Sequence, residues 1–102
     1  MNPSIQAKLD GLDVRLEEIS RLLSEPGVTS DQNKFRKLSQ EYAEILPVVN
    51  LFRDYRRASE ELAGARAFLD ESDKSLHAMA EEEIAQLTAH IDALEAALQR
   101  LL

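Results

Sequence analysis

The sequence predicts an all-α protein, an elongated antiparallel three-helix bundle with a long second helix. Apolar residues recur at steps of three and four along three segments, which is the spacing of one face of an α-helix. Short stretches rich in Pro, Gly, Ser and Asp separate the segments at residues 25–31 and 70–73. Amphipathic helices joined by such short connections pack antiparallel in bundles.

The first helix carries an apolar stripe formed by Ile5, Leu9, Leu12, Leu16, Ile19, Leu22 and Leu23. Pro3 suits the first helical turn, where its missing N–H costs nothing, and Asn2 is the expected cap before it. The segment Glu25-Pro26-Gly27 ends the helix, because proline clashes with the preceding turn and glycine favours open backbone.

The second helix is predicted to begin near Ser30, since Thr29 and Gln32 have the spacing of a capping box. Its stripe consists of Phe35, Leu38, Tyr42, Ile45, Val49, Phe52, Tyr55, Leu62, Ala65 and Leu69. Pro47 removes a backbone hydrogen bond of this helix and lowers its stability by roughly 3 kcal/mol. We therefore expect a kink near residues 45–47, with the helical phase kept on both sides.

The third helix is predicted to begin close to Lys74, with Ser72 or Asp73 as its cap. Its stripe consists of Leu76, Met79, Ala80, Ile84, Leu87, Ile91, Leu94, Leu98 and Leu101. At 1.5 Å per residue the second helix would reach about 60 Å and the first about 30 Å. Either the second helix folds back at Pro47, or its C-terminal half pairs mainly with the third helix. We favour the second arrangement, because the apolar stripe continues beyond the proline.

The composition predicts a soluble cytoplasmic protein with an aliphatic core. Cysteine and tryptophan are absent and aromatic residues make up 5% of the chain, which excludes disulfides and Cys-based metal sites. No apolar run approaches the roughly 18–20 residues that span a bilayer, and no signal-peptide pattern opens the chain.

The net charge of −7 is unevenly distributed along the chain. Residues 34–57 hold six basic and three acidic side chains, whereas residues 58–102 hold three basic and ten acidic ones. The basic middle is either a solvated helix face or a surface that touches RNA or an acidic protein. Within it, Arg53, Arg56 and Arg57 are the candidate partner contacts, because guanidinium groups donate bidentate hydrogen bonds to carboxylates and phosphates.

The sequence contains no motif of an enzyme. It has no phosphate-binding glycine loop, nucleophile elbow or zinc-protease helix, and no Glu-x-x-His pair of a di-iron bundle. His77 with Glu81, and Glu83 with His90, are the only spacings that suggest a metal, and a boundary or surface role suits both histidines better. We expect no catalytic residue, no cofactor and no metal.

A set of residues spread over the chain carries a resemblance to a known family: Ser4, Ile5, Ala7, Lys8, Leu9, Arg15, Glu17, Glu18, Leu22, Leu23, Asp31, Phe35, Arg36, Leu38, Ser39, Glu41, Tyr42, Ala43, Phe68, Leu69 and Asp70. At these positions the chain resembles the N-terminal region of bacterial class I peptide chain release factors of the first type. Polar identities between the stripe positions, such as Arg15, Ser39 and Glu41, are not required by helix packing.

The resemblance implies that residues 1–102 are the N-terminal helical domain of a translation termination factor. The full-length factor would recognise UAA and UAG codons and promote peptidyl-tRNA hydrolysis through a Gly-Gly-Gln motif, whose glutamine is methylated. Neither that motif nor the decoding domain occurs here. The implied partners are the ribosome, at the GTPase-associated region and stalk of its large subunit, together with ribosomal RNA, release factor 3 and the glutamine methyltransferase.

Two other classes of protein suit the same pattern. A free-standing helical-bundle or coiled-coil adaptor would have similar leucine spacing and 30% charged residues, but it would oligomerise, whereas a release-factor domain should be a monomer. A small helical enzyme or cofactor carrier would need ligands that the sequence lacks.

Overall fold

The computed structural model describes all 102 residues and contains three α-helices and no strand. Helix α1 spans Pro3–Leu23, α2 spans Gln32–Glu71 and α3 spans His77–Leu101. Short 3-10 turns at Val28–Ser30 and Lys74–Leu76 lie in the two connections. The predicted all-α helical class is confirmed. No helix combines the length and the apolarity that crossing a bilayer requires.

Helix α1 begins as predicted. The Oδ1 atom of Asn2 accepts a hydrogen bond from the Ser4 backbone N–H at 2.7 Å, and Pro3 occupies the first turn. After the helix ends at Leu23, Gly27 adopts a φ of 79°, a left-handed conformation that a residue without a Cβ reaches at no steric cost. The Pro-Gly segment therefore turns the chain where the sequence predicted.

The cap of α2 differs from the prediction. Thr29 and Ser30 lie in the 3-10 turn, and the Ser30 hydroxyl donates to the Gly27 carbonyl. Asp31 caps the helix instead, since its carboxylate accepts from the Lys34 backbone N–H at 3.1 Å and its carbonyl accepts from the Phe35 N–H at 2.9 Å. The capping box was wrong because Thr29 lies inside the 3-10 turn, and Asp31, the residue directly before α2, is an equally preferred cap.

Helix α2 is continuous through Pro47 and contains 40 residues. The alternative in which the chain folds back at Pro47 is therefore wrong. The buried residues of this helix recur on both sides of the proline at Leu38, Val48, Val49, Phe52, Ala58 and Ala65, so the helical phase is kept as predicted. Pro47 itself is exposed, where its ring meets solvent instead of a neighbouring helix.

The chain forms two compact units, Met1–Asn50 and Leu51–Leu102. The first contains α1 and the N-terminal part of α2, with Leu9, Leu16, Ile19, Leu38, Val48 and Val49 as its buried apolar residues. The second contains the C-terminal part of α2 with α3, with Phe52, Ala58, Ala65, Ala80, Leu94 and Leu98 buried. The favoured pairing of the C-terminal half of α2 with α3 is thus observed.

Four large apolar residues of the predicted stripes remain exposed: Phe35 at 38%, Leu76 at 39%, Met79 at 63% and Leu101 at 51%. All four lie at the ends of their segments: in the first turn of α2, the 3-10 turn before α3, the first turn of α3 and the last residue of α3. Helical periodicity identifies the face on which a residue lies, but it does not tell whether a neighbouring element extends far enough to cover it.

Candidate partner-binding surfaces

The predicted contact residues Arg53, Arg56 and Arg57 lie on α2 within the second unit, and we call them the arginine segment. The Arg56 guanidinium carbon lies 4.7 Å from the ring centroid of Phe52, which is fully buried. Such a cation–π contact holds the charged group against an apolar surface. Arg56 is therefore half-buried and already takes part in packing.

Arg57 presents its charge most openly among the three arginines. Its side chain is 69% exposed, and its Nη1 atom lies 3.3 Å from Oδ1 of Asp54, one helical turn earlier. Exposed pairs of this kind contribute about 0–1 kcal/mol, so a carboxylate or phosphate of a partner competes readily for the same guanidinium. Arg53 is half-buried, so the structure does not present the arginine segment as three equivalent cations.

Tyr55 lies beside the arginine segment, with its ring stacked on Phe52 at a centroid distance of 6.4 Å and an interplanar angle of 12°. Burial raises the pKa of the Tyr55 phenol, a hydrogen bond with Ser59 acts in the opposite direction, and the nearby Glu95 carboxylate raises it further. Glu95 belongs to α3, so this tyrosine joins the two helices of the second unit. Within this aromatic pair, Phe52 is the ring that contacts the Arg56 guanidinium.

In the first unit, Arg15 of α1 and Glu41 of α2 form a bidentate ion pair. The Arg15 Nε and Nη2 atoms donate to the two carboxylate oxygens at 2.7 and 2.8 Å, and Nη1 donates to Glu18 at 3.0 Å. The hydrogen bond from Arg15 lowers the pKa of Glu41, and the same bond raises the pKa of Arg15. Two polar residues singled out by the family resemblance thus have a structural role that links the helices.

A groove of about 600 Å³ lies next to this ion pair. Its lining includes Lys34 and Lys37 as well as Asp31, Arg15 and Glu41. Charges of both signs line it, and the carboxylates of Asp31 and Glu41 are already hydrogen-bonded within the unit. This first groove therefore has no single electrostatic preference for a ligand.

A second groove of about 650 Å³, which we call the Phe35 groove, follows another face of α2 in the first unit. Its lining is largely apolar and includes Gln32, Phe35, Arg36, Ser39, Gln40 and Ala43. No acidic side chain lines it, and Arg36 is its one charged residue. Helical spacing alone did not predict this groove, because Phe35 lies at a position of the apolar stripe expected to face the core. The signal available was the position of Phe35 in the first turn of its helix.

The structure brings together no group of three or more His, Cys, Asp or Glu side chains that would hold a metal ion. The Nε2 atom of His77 donates to the Ser72 carbonyl at 3.1 Å, where it caps the end of α2. His90 is exposed on α3. No buried side-chain nitrogen or oxygen lacks a hydrogen-bond partner.

The fold defines the class of the protein as all-α, with one charged groove and one largely apolar groove in its first unit. The PCRF domain family model matches residues 12–102, nearly the whole chain, and the chain belongs to this family of peptide chain release factor domains. The resemblance drawn from the sequence is confirmed at that level. Family membership assigns the chain to translation termination and, coarsely, to interaction with the ribosome. No solved structure matches the chain.

Proposed function

We propose that the chain is the N-terminal docking domain of a class I release factor of the first type, acting in the cytoplasm. The full-length factor would recognise UAA and UAG codons and promote peptidyl-tRNA hydrolysis through a Gly-Gly-Gln motif. The family match over residues 12–102 carries this proposal. The motif is absent from the sequence, so we expect residues 1–102 alone to have no hydrolase activity.

The proposed docking sites of this domain are the GTPase-associated region and the stalk of the large ribosomal subunit. Release factor 3 and the methyltransferase that modifies the Gly-Gly-Gln glutamine are further proposed partners. What supports a docking role is the character of the outer faces, which offer an exposed arginine and a largely apolar groove.

Within this role, the arginine segment is the proposed contact with ribosomal RNA or with an acidic ribosomal protein. Arg57 is exposed and bound only through a weak surface pair, and Arg56 is held in place by Phe52. A guanidinium that is already oriented loses less conformational freedom when it binds a phosphate or carboxylate. The segment is thus suited to form charge-assisted hydrogen bonds to a partner.

Replacing Arg53, Arg56 and Arg57 with Ala in the full-length factor tests this contact. We expect ribosome affinity to fall about tenfold or more, since each lost charge-assisted hydrogen bond contributes about 1.5–3 kcal/mol. The salt dependence of binding should also become shallower, because fewer counterions are released. The termination rate at subsaturating factor should fall in parallel.

The matched control replaces Arg66, Lys74 and Arg100, which are the other three basic residues of the second unit, and so removes the same net charge. This control should bind nearly as the parent does. The single change Arg57→Ala separates contact from folding, because that side chain is 69% exposed and its ion pair is with another exposed residue of the same helix. Equal binding by the arginine-segment variant and the parent across a salt series would refute the contact.

A further inference from the structure

We propose that the tip of the α2–α3 hairpin binds a basic amphipathic segment of a partner protein. The tip consists of residues 68–83, which comprise the last turn of α2, the connection and the first two turns of α3. Three large apolar side chains are exposed there: Phe68 at 46%, Leu76 at 39% and Met79 at 63%. No other stretch of twelve residues in the chain exposes three such side chains. We call these three residues the tip patch.

The tip patch lies on one side of the hairpin. Leu69 of α2 is half-buried and Ala80 of α3 is buried, so these two positions face the opposite helix. Phe68 and Met79 each directly precede one of them, and both lie within one turn of the connection. Two antiparallel helices are related by a two-fold axis normal to their plane, so these equivalent positions lie on the same side. Leu76 lies one turn before Met79 and extends the patch towards the connection.

The surroundings of the tip patch are strongly acidic. Residues 68–83 hold six acidic side chains and one basic side chain, all seven exposed, which gives the tip a net charge of −5. The rest of the second unit holds five basic and five acidic residues, so the tip accounts for the net charge of the whole unit. Glu71 lies one turn after Phe68 and Glu83 one turn after Met79, on the side of the patch.

This charge selects the partner. Lysines and arginines around an apolar anchor would meet carboxylates at the edges of the patch. Phosphate backbones and anionic lipid headgroups would be repelled, and a second copy of the chain would bring the same charge of −5 against the first. Lys74 is the one cation of the tip, and Arg66 lies about 200° around α2 from Phe68.

The side chains of the tip patch suit a protein partner. Aromatic residues and methionine are enriched in the centres of protein interfaces, and methionine adapts its shape to different apolar surfaces. An apolar centre with a charged edge is the usual arrangement of such interfaces. The tip patch therefore offers the anchor, and the surrounding carboxylates give the preference for a basic segment.

The test measures binding of designed peptides of about 16 residues to residues 1–102 by fluorescence anisotropy. The first peptide has leucines at helical spacing flanked by lysines, the second has glutamates in place of the lysines, and the third has serines in place of the leucines. We expect the first peptide to bind with a Kd of about 10–100 μM and the other two at least tenfold more weakly. Amide chemical shifts should move around Phe68 and Met79.

Two apolar variants and one control assign the binding to the tip patch. Phe68→Ala and Met79→Gln should each weaken the lysine–leucine peptide about five- to tenfold. Phe35→Ala removes an exposed phenylalanine of α2 in the other unit and should leave the affinity unchanged. Met79 is 63% exposed, so its replacement tests the contact without disturbing the core. Circular dichroism checks that each variant stays folded.

A matched pair of double variants tests the charge. Glu71→Gln with Glu83→Gln should weaken the lysine–leucine peptide about threefold or more at low salt, and the difference from the parent should shrink as salt is added. Glu60→Gln with Asp92→Asn removes the same charge from exposed positions of the second unit outside the tip and should have little effect.

Three outcomes would overturn the proposal: no binding up to about 1 mM peptide, equal binding of any two of the peptides, or equal losses in the Phe68 and Phe35 variants. A dimer in sedimentation velocity that Met79→Gln abolishes would assign the tip patch to a second copy and would also overturn it. The assay contains no ribosome, so its result is independent of the proposed role in termination.

Discussion

At the scale of single residues, the pair between Arg15 and Glu41 explains an observation that helix packing alone does not. Both residues lie between the apolar stripe positions, and both belong to the family resemblance. The structure shows that they link α1 to α2 by two parallel hydrogen bonds. The geometry is bidentate, which distinguishes it from the ordinary surface pairs of Arg21 with Glu25 and Arg57 with Asp54.

Glu41→Gln should lower the melting temperature of the protein at neutral pH by a few degrees, because the amide cannot accept both charged hydrogen bonds. The pKa of Glu41 in the folded protein lies below its ordinary value of 4.5. Its stabilising effect is therefore fully present above that value and is lost as the pH falls through the lower folded pKa. The difference in melting temperature between parent and variant should therefore disappear at acidic pH. Circular dichroism across a pH series measures it.

Glu44→Gln provides the comparison for this series, since Glu44 is exposed one turn along the same helix. It should leave the melting temperature nearly unchanged at neutral pH. A gap for Glu41→Gln that stays constant down to about pH 2 would show that the carboxylate charge is not its cause.

At the scale of elements, α2 determines how the chain is divided. One helix of 40 residues contributes its N-terminal part to one compact unit and its C-terminal part to the other. Pro47 lies within it, three residues before the division at Asn50. The burial of apolar residues on both sides of the proline stabilises a helical conformation that proline disfavours locally.

Pro47→Ala should raise the free energy of unfolding by about 1–3 kcal/mol, because alanine restores the missing N–H donor and relieves the clash with the preceding turn. Pro47 is exposed, so its replacement opens no cavity. Urea denaturation of residues 1–102 measures the change.

Pro26→Ala is the control for the proline in α2, because Pro26 lies in the turn after α1, where it stiffens the unfolded chain without blocking a helix. That variant should be unchanged or less stable by up to about 1 kcal/mol. If Pro47→Ala were no more stable than the parent, the prediction that this proline destabilises α2 would be wrong.

At the scale of the whole molecule, the charge is divided unequally between the units. The first unit has a net charge of −2, whereas the second holds six basic and eleven acidic residues and has a net charge of −5. The positive residues 34–57 belong partly to each unit. The arginine segment belongs to the second unit, whereas the Phe35 groove belongs to the first.

Residues 1–102 should form a monomer of 11.5 kDa with a helical signal that does not change on dilution. Each unit buries its own apolar residues, so folding does not depend on a second chain. Sedimentation velocity from about 1 to 100 μM measures the mass, because an obligate oligomer would dissociate and unfold as concentration falls. A stoichiometric oligomer that loses helix on dilution would favour the adaptor alternative instead.

Features that depend on residues close together in the chain could be predicted from the sequence. The stripe spacing, the Asn2 cap, the turn at Pro26-Gly27 and the family resemblance all depend on neighbours in the chain, and the structure or the family match confirms them. The capping box at Thr29 was wrong, because Thr29 lies inside the 3-10 turn and Asp31, directly before α2, caps the helix.

The sequence by itself determined the helices, the phase of their apolar faces and the membership of a release-factor domain family. Only the tertiary structure decided that α2 continues through Pro47, that Arg15 meets Glu41, that Arg56 lies on Phe52 and that Phe35 remains at the surface. The physical reason is that helical periodicity follows from residues three and four apart. Ion pairs between helices and the exposure of a side chain depend instead on distant segments, whose approach no local pattern encodes.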